Sequence, residues 1–219
     1  MDDWFPLLLS LRVATMATLV ATTLGIALAY LLAKGRFRGR GLLEAIITLP
    51  IVLPPTVLGF YLLTLLGVNS GIGRAWERVF GGPLVFTETA AVIAASISAL
   101  PFVVRTARAA IEGVDSRLEA LARVAGHSEW HVARLVTLPL ARRGLAAGVA
   151  LGFARALGDF GATIMVAGNI PGQTQTLPIA VYDATQAGDY GTAHVGSLIL
   201  AAIAIVVLLA ISQFADRRI

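Results

Sequence analysis

The feature that most constrains the fold is a series of long apolar stretches along the 219-residue chain. Five predominantly apolar stretches have about the length of 20 residues that a helix needs to cross a bilayer. They are residues 11–33, 42–66, 89–106, 145–167 and 193–214. They should be helical, because lipid offers no partner for exposed backbone groups and no stretch alternates as a barrel strand does. We therefore predict an all-α transmembrane bundle of about five to six helices, forming a single domain over residues 1–219.

Lysine and arginine are concentrated in two of the connections between these stretches. They are Lys34, Arg36, Arg38 and Arg40 after the first stretch, and Arg105, Arg108, Arg117, Arg123, Arg134, Arg142 and Arg143 between the third and the fourth. The segment 169–192 contains neither residue type, and the connection after the second stretch contains only Arg74 and Arg78. The positive-inside rule therefore predicts an N-terminus outside the cell and a cytoplasmic C-terminus. The same rule explains the net charge of +4 without a nucleic-acid partner.

Several kinds of active site are excluded or disfavoured by residues that the sequence lacks. There is no cysteine, which excludes thiolate ligands and a cysteine nucleophile. No GxxxxGK[ST] motif occurs, so any ATP hydrolysis must come from another polypeptide, and we expect this chain not to be an enzyme. His127, His131 and His194 have no spacing with carboxylates that suggests a metal site. We expect neither a metal nor a cofactor.

The segment from about 107 to 143 alternates acids and arginines with alanine, leucine and valine, a pattern typical of short amphipathic helices. Gly126 should break or cap a helix in its middle, and Pro139 should end one helix or start another. On pattern alone this loop is either a solvated connector beneath the bundle or a surface that binds a partner.

Residues 118–139, LEALARVAGHSEWHVARLVTLP, resemble the EAA loop shared by ABC importer permeases. The glycine of that motif corresponds to Gly126, and Val136, Leu138 and Pro139 follow it at the family spacing. The resemblance implies that the segment forms a coupling helix, which docks into a cleft of a separate ATPase subunit.

The resemblance transfers the coupling role to Glu119, Ala122 and Gly126, together with the leucine and proline at the end of the motif. One position departs from the family pattern. The family glutamate lies six residues before the glycine, where this chain has Ala120, and Glu119 lies seven residues before it.

A second informative segment is 153–182, FARALGDFGATIMVAGNIPGQTQTLPIAVY, in which the spacing predicts Arg155 and Asp159 four residues apart on one helix face, within or at the edge of a span. An ion pair within a membrane should face protein or water, and it either fixes helix packing or contacts the substrate. The prolines of LPIVLPP, residues 49–55, predict a kinked second helix that is able to line a gate.

The same segment resembles molybdate and sulfate permeases, in which an RxLGEFGA run precedes GNxPG and a threonine-containing loop, with Asp159 in place of the usual glutamate. LPIVLPP and the short chain are more similar to the molybdate branch. Candidate pathway or gate residues are Pro54, Pro55, Arg155, Asp159, Gly161 and Thr163.

The resemblance implies the permease subunit of an ATP-driven molybdate importer in a prokaryotic inner membrane, with the type I ABC importer permease fold. Its expected partners are a second copy of the chain, two cytoplasmic ATP-binding subunits, an extracytoplasmic oxyanion-binding protein and membrane lipid. A sulfate, thiosulfate or tungstate permease is the alternative within this class. Outside it, a secondary transporter or channel would need a coupling-ion site in the spans, and a membrane enzyme or scaffold would need a convergent polar site or a soluble appendage.

Overall fold

The structure is a computed structural model that describes the backbone of residues 4–216 and the side chains of residues 4–210. The regular elements of this part of the chain are all helical. They are α1 (Phe5–Lys34), α2 (Arg40–Val52), α3 (Pro55–Leu66), α4 (Gly71–Phe80), α5 (Glu88–Glu112), α6 (Ser116–Val124), α7 (Glu129–Val132), a π-helical turn (Ala133–Thr137), α8 (Leu138–Leu157), α9 (Gly161–Ala167), α10 (Leu177–Gln186) and α11 (Tyr190–Asp216). The all-α prediction is confirmed.

Within the described residues, four helical segments are long and apolar enough to cross a membrane: Phe5–Lys34, Glu88–Glu112, Glu129–Leu157 and Tyr190–Ala210. The pair α2 and α3 makes a fifth if it is counted as one broken span. The predicted number of spans therefore agrees with the structure, although several boundaries differ. The first helix begins at Phe5, six residues before the predicted start, because the apolar pattern continues through Pro6 at its first turn.

The centre of the bundle is formed by α1, α5 and α8. Their contacts rest largely on small side chains, which allow the helix backbones to approach closely and are favoured in membrane helix packing. Buried alanines of this core include Ala14, Ala17, Ala21, Ala90, Ala91, Ala94, Ala95, Ala99 and Ala156. α5 consequently lies at the centre of the bundle and supports the helices around it.

The predicted second span, 42–66, is not one kinked helix. α2 and α3 are separate helices that meet at an angle of 116° across Leu53 and Pro54. Leu53 is extended, with φ −70° and ψ 138°, because a following proline disfavours the helical conformation. Pro55 then occupies the first turn of α3, where its missing N–H costs nothing. The prolines therefore break this span instead of bending it.

The predicted fourth span, 145–167, differs as well. Its helix starts much earlier, at Glu129, and ends at Leu157, and α9 begins at Gly161 after a short break. The predicted loop of 107–143 is correspondingly shorter, because its first residues belong to α5 and its last residues to α8. We call residues 113–137 the connecting loop.

Ion pairs between distant segments show which helix ends share one end of the bundle. Arg12 lies 3.1 Å from Glu88, which joins the starts of α1 and α5. At the other end Arg108 Nη1 lies 2.8 Å from Glu44 Oε1, which joins the end of α5 to the start of α2. The basic connections of the sequence therefore gather at one end of the molecule. Their placement on the cytoplasmic side remains a prediction.

Candidate functional site

The connecting loop is a helix, a turn and a second helix, as the sequence predicts. α6 begins with the side chain of Asp115, which accepts from the backbone N–H of Arg117 at 2.9 Å. Its last residue is Val124, and Gly126, two residues further on, has a φ of +86°, a left-handed conformation that favours glycine. The N–H of His127 donates to Ala122 O at 3.2 Å, and that of Gly126 donates to Arg123 O at 3.0 Å. This pair of bonds is a Schellman motif, which turns the chain sharply after α6.

Glu119 faces the protein. Its side chain is only 4% exposed, and Lys34 Nζ lies 2.8 Å from each of its two carboxylate oxygens. Thr137 Oγ1 donates to Glu119 Oε1 at 2.7 Å. A carboxylate buried in this way needs both a cation and hydrogen bonds to offset its lost hydration. Glu119 thus fastens α6 to the end of α1 and to the π-helical turn.

The opposite side of α6 is exposed and carries two large apolar side chains beside Arg117. At 100° per residue, Leu121 and Val124 lie on the side of the helix away from Glu119. Leu121 is 66% exposed and Val124 is 87% exposed, and Trp130 beyond the turn is 69% exposed.

The two helices of the loop are joined by an ion pair. Arg123 donates to both oxygens of Glu129, at 2.6 and 3.1 Å. These bonds raise the pKa of Arg123 and hold the two helices together.

These exposed apolar side chains are not among the residues predicted from the family motif. Of the residues predicted on α6 and its turn, Glu119 is buried, Ala122 is half-buried and Gly126 is exposed. The signal available in the sequence was the spacing of Leu121 and Val124, three residues apart in an otherwise charged segment.

α7, the π-helical turn and α8 form one continuous helix, Glu129–Leu157. Pro139 stands near the start of α8, where it lacks an N–H and crowds the carbonyl of the preceding turn. The wider π-helical turn at Ala133–Thr137 relieves this crowding and sets Thr137 against Glu119. Leu138 and Pro139 therefore shape the helix that carries the loop. Pro139 is itself exposed.

A cleft of about 520 Å³ lies at the breaks between α2 and α3 and between α8 and α9. It is lined by Pro50, Ile51, Leu53, Pro55, Thr56, Phe102, Arg155, Gly158, Phe160 and Gly161. Three of the predicted pathway residues, Pro55, Arg155 and Gly161, line this cleft. Pro54 is exposed directly before Pro55, whereas Asp159 and Thr163 are buried.

Arg155 and Asp159 form the predicted ion pair, but they do not share one helix. Arg155 Nη2 lies 2.9 Å from Asp159 Oδ1 across the break that follows α8. Asp159 Oδ2 accepts from the N–H of Thr163 at 3.1 Å and from its hydroxyl at 2.7 Å, which caps α9. Asp159 is buried, while the side chain of Arg155 is 25% exposed. The pair therefore holds the broken span together and presents a partly neutralised cation at the cleft.

Gly161 lies where α9 meets α3. A Cβ atom at this position would be 2.7 Å from Pro55 Cβ, well inside van der Waals contact. This close approach brings the two breaks together.

A family model described as the binding-protein-dependent transport system inner membrane component matches residues 21–219. The chain belongs to this family. Its sequence is 42% identical over 217 residues to the molybdenum transport system permease protein ModB of Escherichia coli, covering 98% of this chain and 94% of that protein. It is 33% identical over 204 residues to the sulfate transport system permease protein CysT of the same species, covering 93% of this chain and 73% of that protein.

Solved structures show the same fold. The chain matches a bacterial alginate ABC transporter, solved in complex with an alginate pentasaccharide-bound periplasmic protein, with a TM-score of 0.78 at 17% identity, covering 99% of this chain and 80% of that one. The ABC importer permease fold expected from the sequence is therefore confirmed. This member of the binding-protein-dependent family is a multi-pass inner membrane protein, and its relatives are transport permeases.

Proposed function

We propose that this chain is the transmembrane permease subunit of an ATP-driven molybdate importer. The observation that carries the proposal is the near-full-length similarity to a molybdenum permease, 42% identity against 33% for a sulfate permease. The connecting loop supports it with an apolar tip on a firmly anchored helix, which is the form that a docking site for a separate ATPase requires.

Leu121 and Val124 form the tip that would enter a cleft of the ATPase subunit. Exposed apolar side chains on a short helix bind by filling a groove in the partner, so these two residues would supply most of the contact energy. Glu119 acts on the other face of α6 by fixing its position on the bundle, through Lys34 and Thr137. Movement of the ATPase would thus be delivered to the bundle instead of being lost in a loose loop.

The proposed assembly contains two copies of this chain, two cytoplasmic ATP-binding subunits and an extracytoplasmic oxyanion-binding protein. A closed two-fold arrangement gives each copy one ATPase contact and places the pathway between copies. ATP would favour closed ATPases and one state of the permease, and hydrolysis would restore the other, so that access alternates. The N-terminus would lie outside and the C-terminus inside, as the basic end of the bundle indicates.

The cleft is suited to passage of an anion more than to tight binding. Arg155 is the basic residue among those that line it, and its charge is largely balanced by Asp159. A partly neutralised arginine attracts an oxyanion without holding it, which favours release. Selectivity would then rest mainly with the external binding protein.

The test is uptake of labelled molybdate into proteoliposomes that contain the permease, its ATPase and its binding protein. Val124→Asp should abolish uptake, because a carboxylate cannot enter an apolar cleft without losing its hydration, whereas the matched Val124→Ala should retain most of it. Both variants should keep the unfolding temperature of the parent, since Val124 is 87% exposed. Equal uptake by the two variants would overturn the assignment of the docking tip.

The same assay distinguishes the alternatives. Uptake that resists excess sulfate supports the molybdate assignment, whereas strong competition by sulfate, thiosulfate or tungstate moves the substrate to that oxyanion. Uptake that persists without ATP and ATPase would indicate a secondary transporter or a channel instead.

A further inference from the structure

α4 connects two membrane-spanning elements without spanning the membrane itself. It follows α3 after residues 67–70 and precedes α5, so both of its ends lie on the same side of the bundle. Its 10 residues reach only about 15 Å, half of the roughly 30 Å of a bilayer core. The helix must therefore lie outside the hydrocarbon core or along its surface.

The residues of α4 separate cleanly into an apolar arc and a polar arc. At 100° per residue, the apolar side chains share one side of the helix, and those most exposed are Ile72 at 47%, Val79 at 74% and Phe80 at 64%. The polar arc carries Arg74, Glu77 and Arg78. A helix that buried its apolar side against its own bundle would not leave these large side chains exposed.

The attachments of α4 fix the direction in which this apolar arc faces. Ser70 caps the helix by accepting from the N–H of Gly73 at 2.8 Å, and Arg74 Nη1 donates to Asn69 O at 2.9 Å. Trp76 packs against the core and stacks on Phe80, with ring centroids 3.9 Å apart. The exposed apolar arc is therefore a fixed surface of the molecule.

We propose that α4 is an interfacial helix that sets Ile72, Val79 and Phe80 into the phospholipid bilayer. The polar arc would then face the headgroups, where its two arginines complement lipid phosphates. The exposed ring of Phe80 would lie at the boundary between hydrocarbon and headgroups, while Trp76 holds the helix against the core. α4 would tie the end of α3, one half of the broken span, to the membrane surface.

The chain contains no cysteine, so single-cysteine variants can carry a nitroxide spin label at one position only. Val79→Cys places the label on the apolar arc, and the matched control Glu77→Cys places it two residues away on the polar arc. Ile72→Cys repeats the apolar test about two helical turns away. Each purified full-length variant is reconstituted into phosphatidylcholine and phosphatidylglycerol vesicles.

We expect labels at Val79 and Ile72 to collide with lipid-soluble oxygen about tenfold more, relative to a water-soluble nickel chelate, than the label at Glu77 does. Equal accessibility to the nickel chelate at all three positions would overturn the proposal, because the apolar arc would then face water. Labels at Val79 and Ile72 that are shielded from both agents and show spin–spin broadening would also overturn it, in favour of a contact between two copies of the chain.

Discussion

Removal of the Glu119 carboxylate should release the connecting loop from the end of α1. Glu119→Ala leaves Lys34, whose side chain is 25% exposed, without the carboxylate that lies 2.8 Å away. It also deprives the buried hydroxyl of Thr137 of its acceptor. Breaking a buried pair typically costs about 3–5 kcal/mol, and we expect about 2–4 kcal/mol because Lys34 is able to reach water.

Amide hydrogen exchange measures this cost where it arises. Each 1.4 kcal/mol corresponds to about a factor of ten, so exchange of amides in α6 and the π-helical turn should accelerate about 30- to 700-fold. Exchange in α5, at the centre of the bundle, should change little. The assay is run on the purified permease in lipid nanodiscs.

Two further variants separate charge from packing. Glu119→Gln keeps an acceptor for Thr137 but loses the charge, so its exchange should be intermediate. Lys34→Met combined with Glu119→Leu and Thr137→Val replaces the ion pair and the hydroxyl that donates to it by apolar side chains of similar size, and should recover most of the protection. The reasoning is refuted if Glu119→Ala exchanges like the parent, or if the triple variant is no better protected than Glu119→Ala.

Three other changes have expected outcomes. Gly161→Ala forces a Cβ against Pro55 and should lower stability by about 1–3 kcal/mol, measured as a fall in the unfolding temperature. Gly126→Ala meets nothing within 4 Å, so only its left-handed backbone should cost energy, about 1–2 kcal/mol, seen as faster exchange around the turn with the bundle unchanged. Ser10→Ala removes the acceptor of the buried N–H of Leu177, now 2.7 Å from Ser10 Oγ, and should cost about 1–3 kcal/mol, measured by exchange at the start of α10.

The membrane-spanning character of the chain could be predicted from its sequence because bilayer thickness imposes a length on every apolar stretch. The turn at Gly126 could also be predicted from the sequence, since few residues other than glycine adopt the left-handed conformation at the end of a helix. The breaks in the second and fourth spans were harder to predict from the sequence. The prolines alone do not specify the angle of 116° at Leu53 and Pro54, nor the close approach of Gly161, which lies far along the chain, to Pro55.

The inward direction of Glu119 could not be derived from the sequence either. Glutamate in a charged loop is usually solvated, and only the meeting of α1, α6 and the π-helical turn supplies Lys34 and Thr137 as its partners. The ion pair of Arg155 and Asp159 was predicted from spacing, but its geometry across a helix break was not, because spacing alone assumes an unbroken helix.

The continuous helix from Glu129 to Leu157 is a single rod of 29 residues, about 44 Å long, that starts beside the exposed tip of the connecting loop and ends at the cleft. A rod of that length converts each degree of tilt at one end into a displacement of about 0.8 Å at the other. Arg155 is in its last turn, so a tilt of the loop by a docked ATPase would move this side chain at the cleft. Such a movement would require neither bending nor unfolding of the helix.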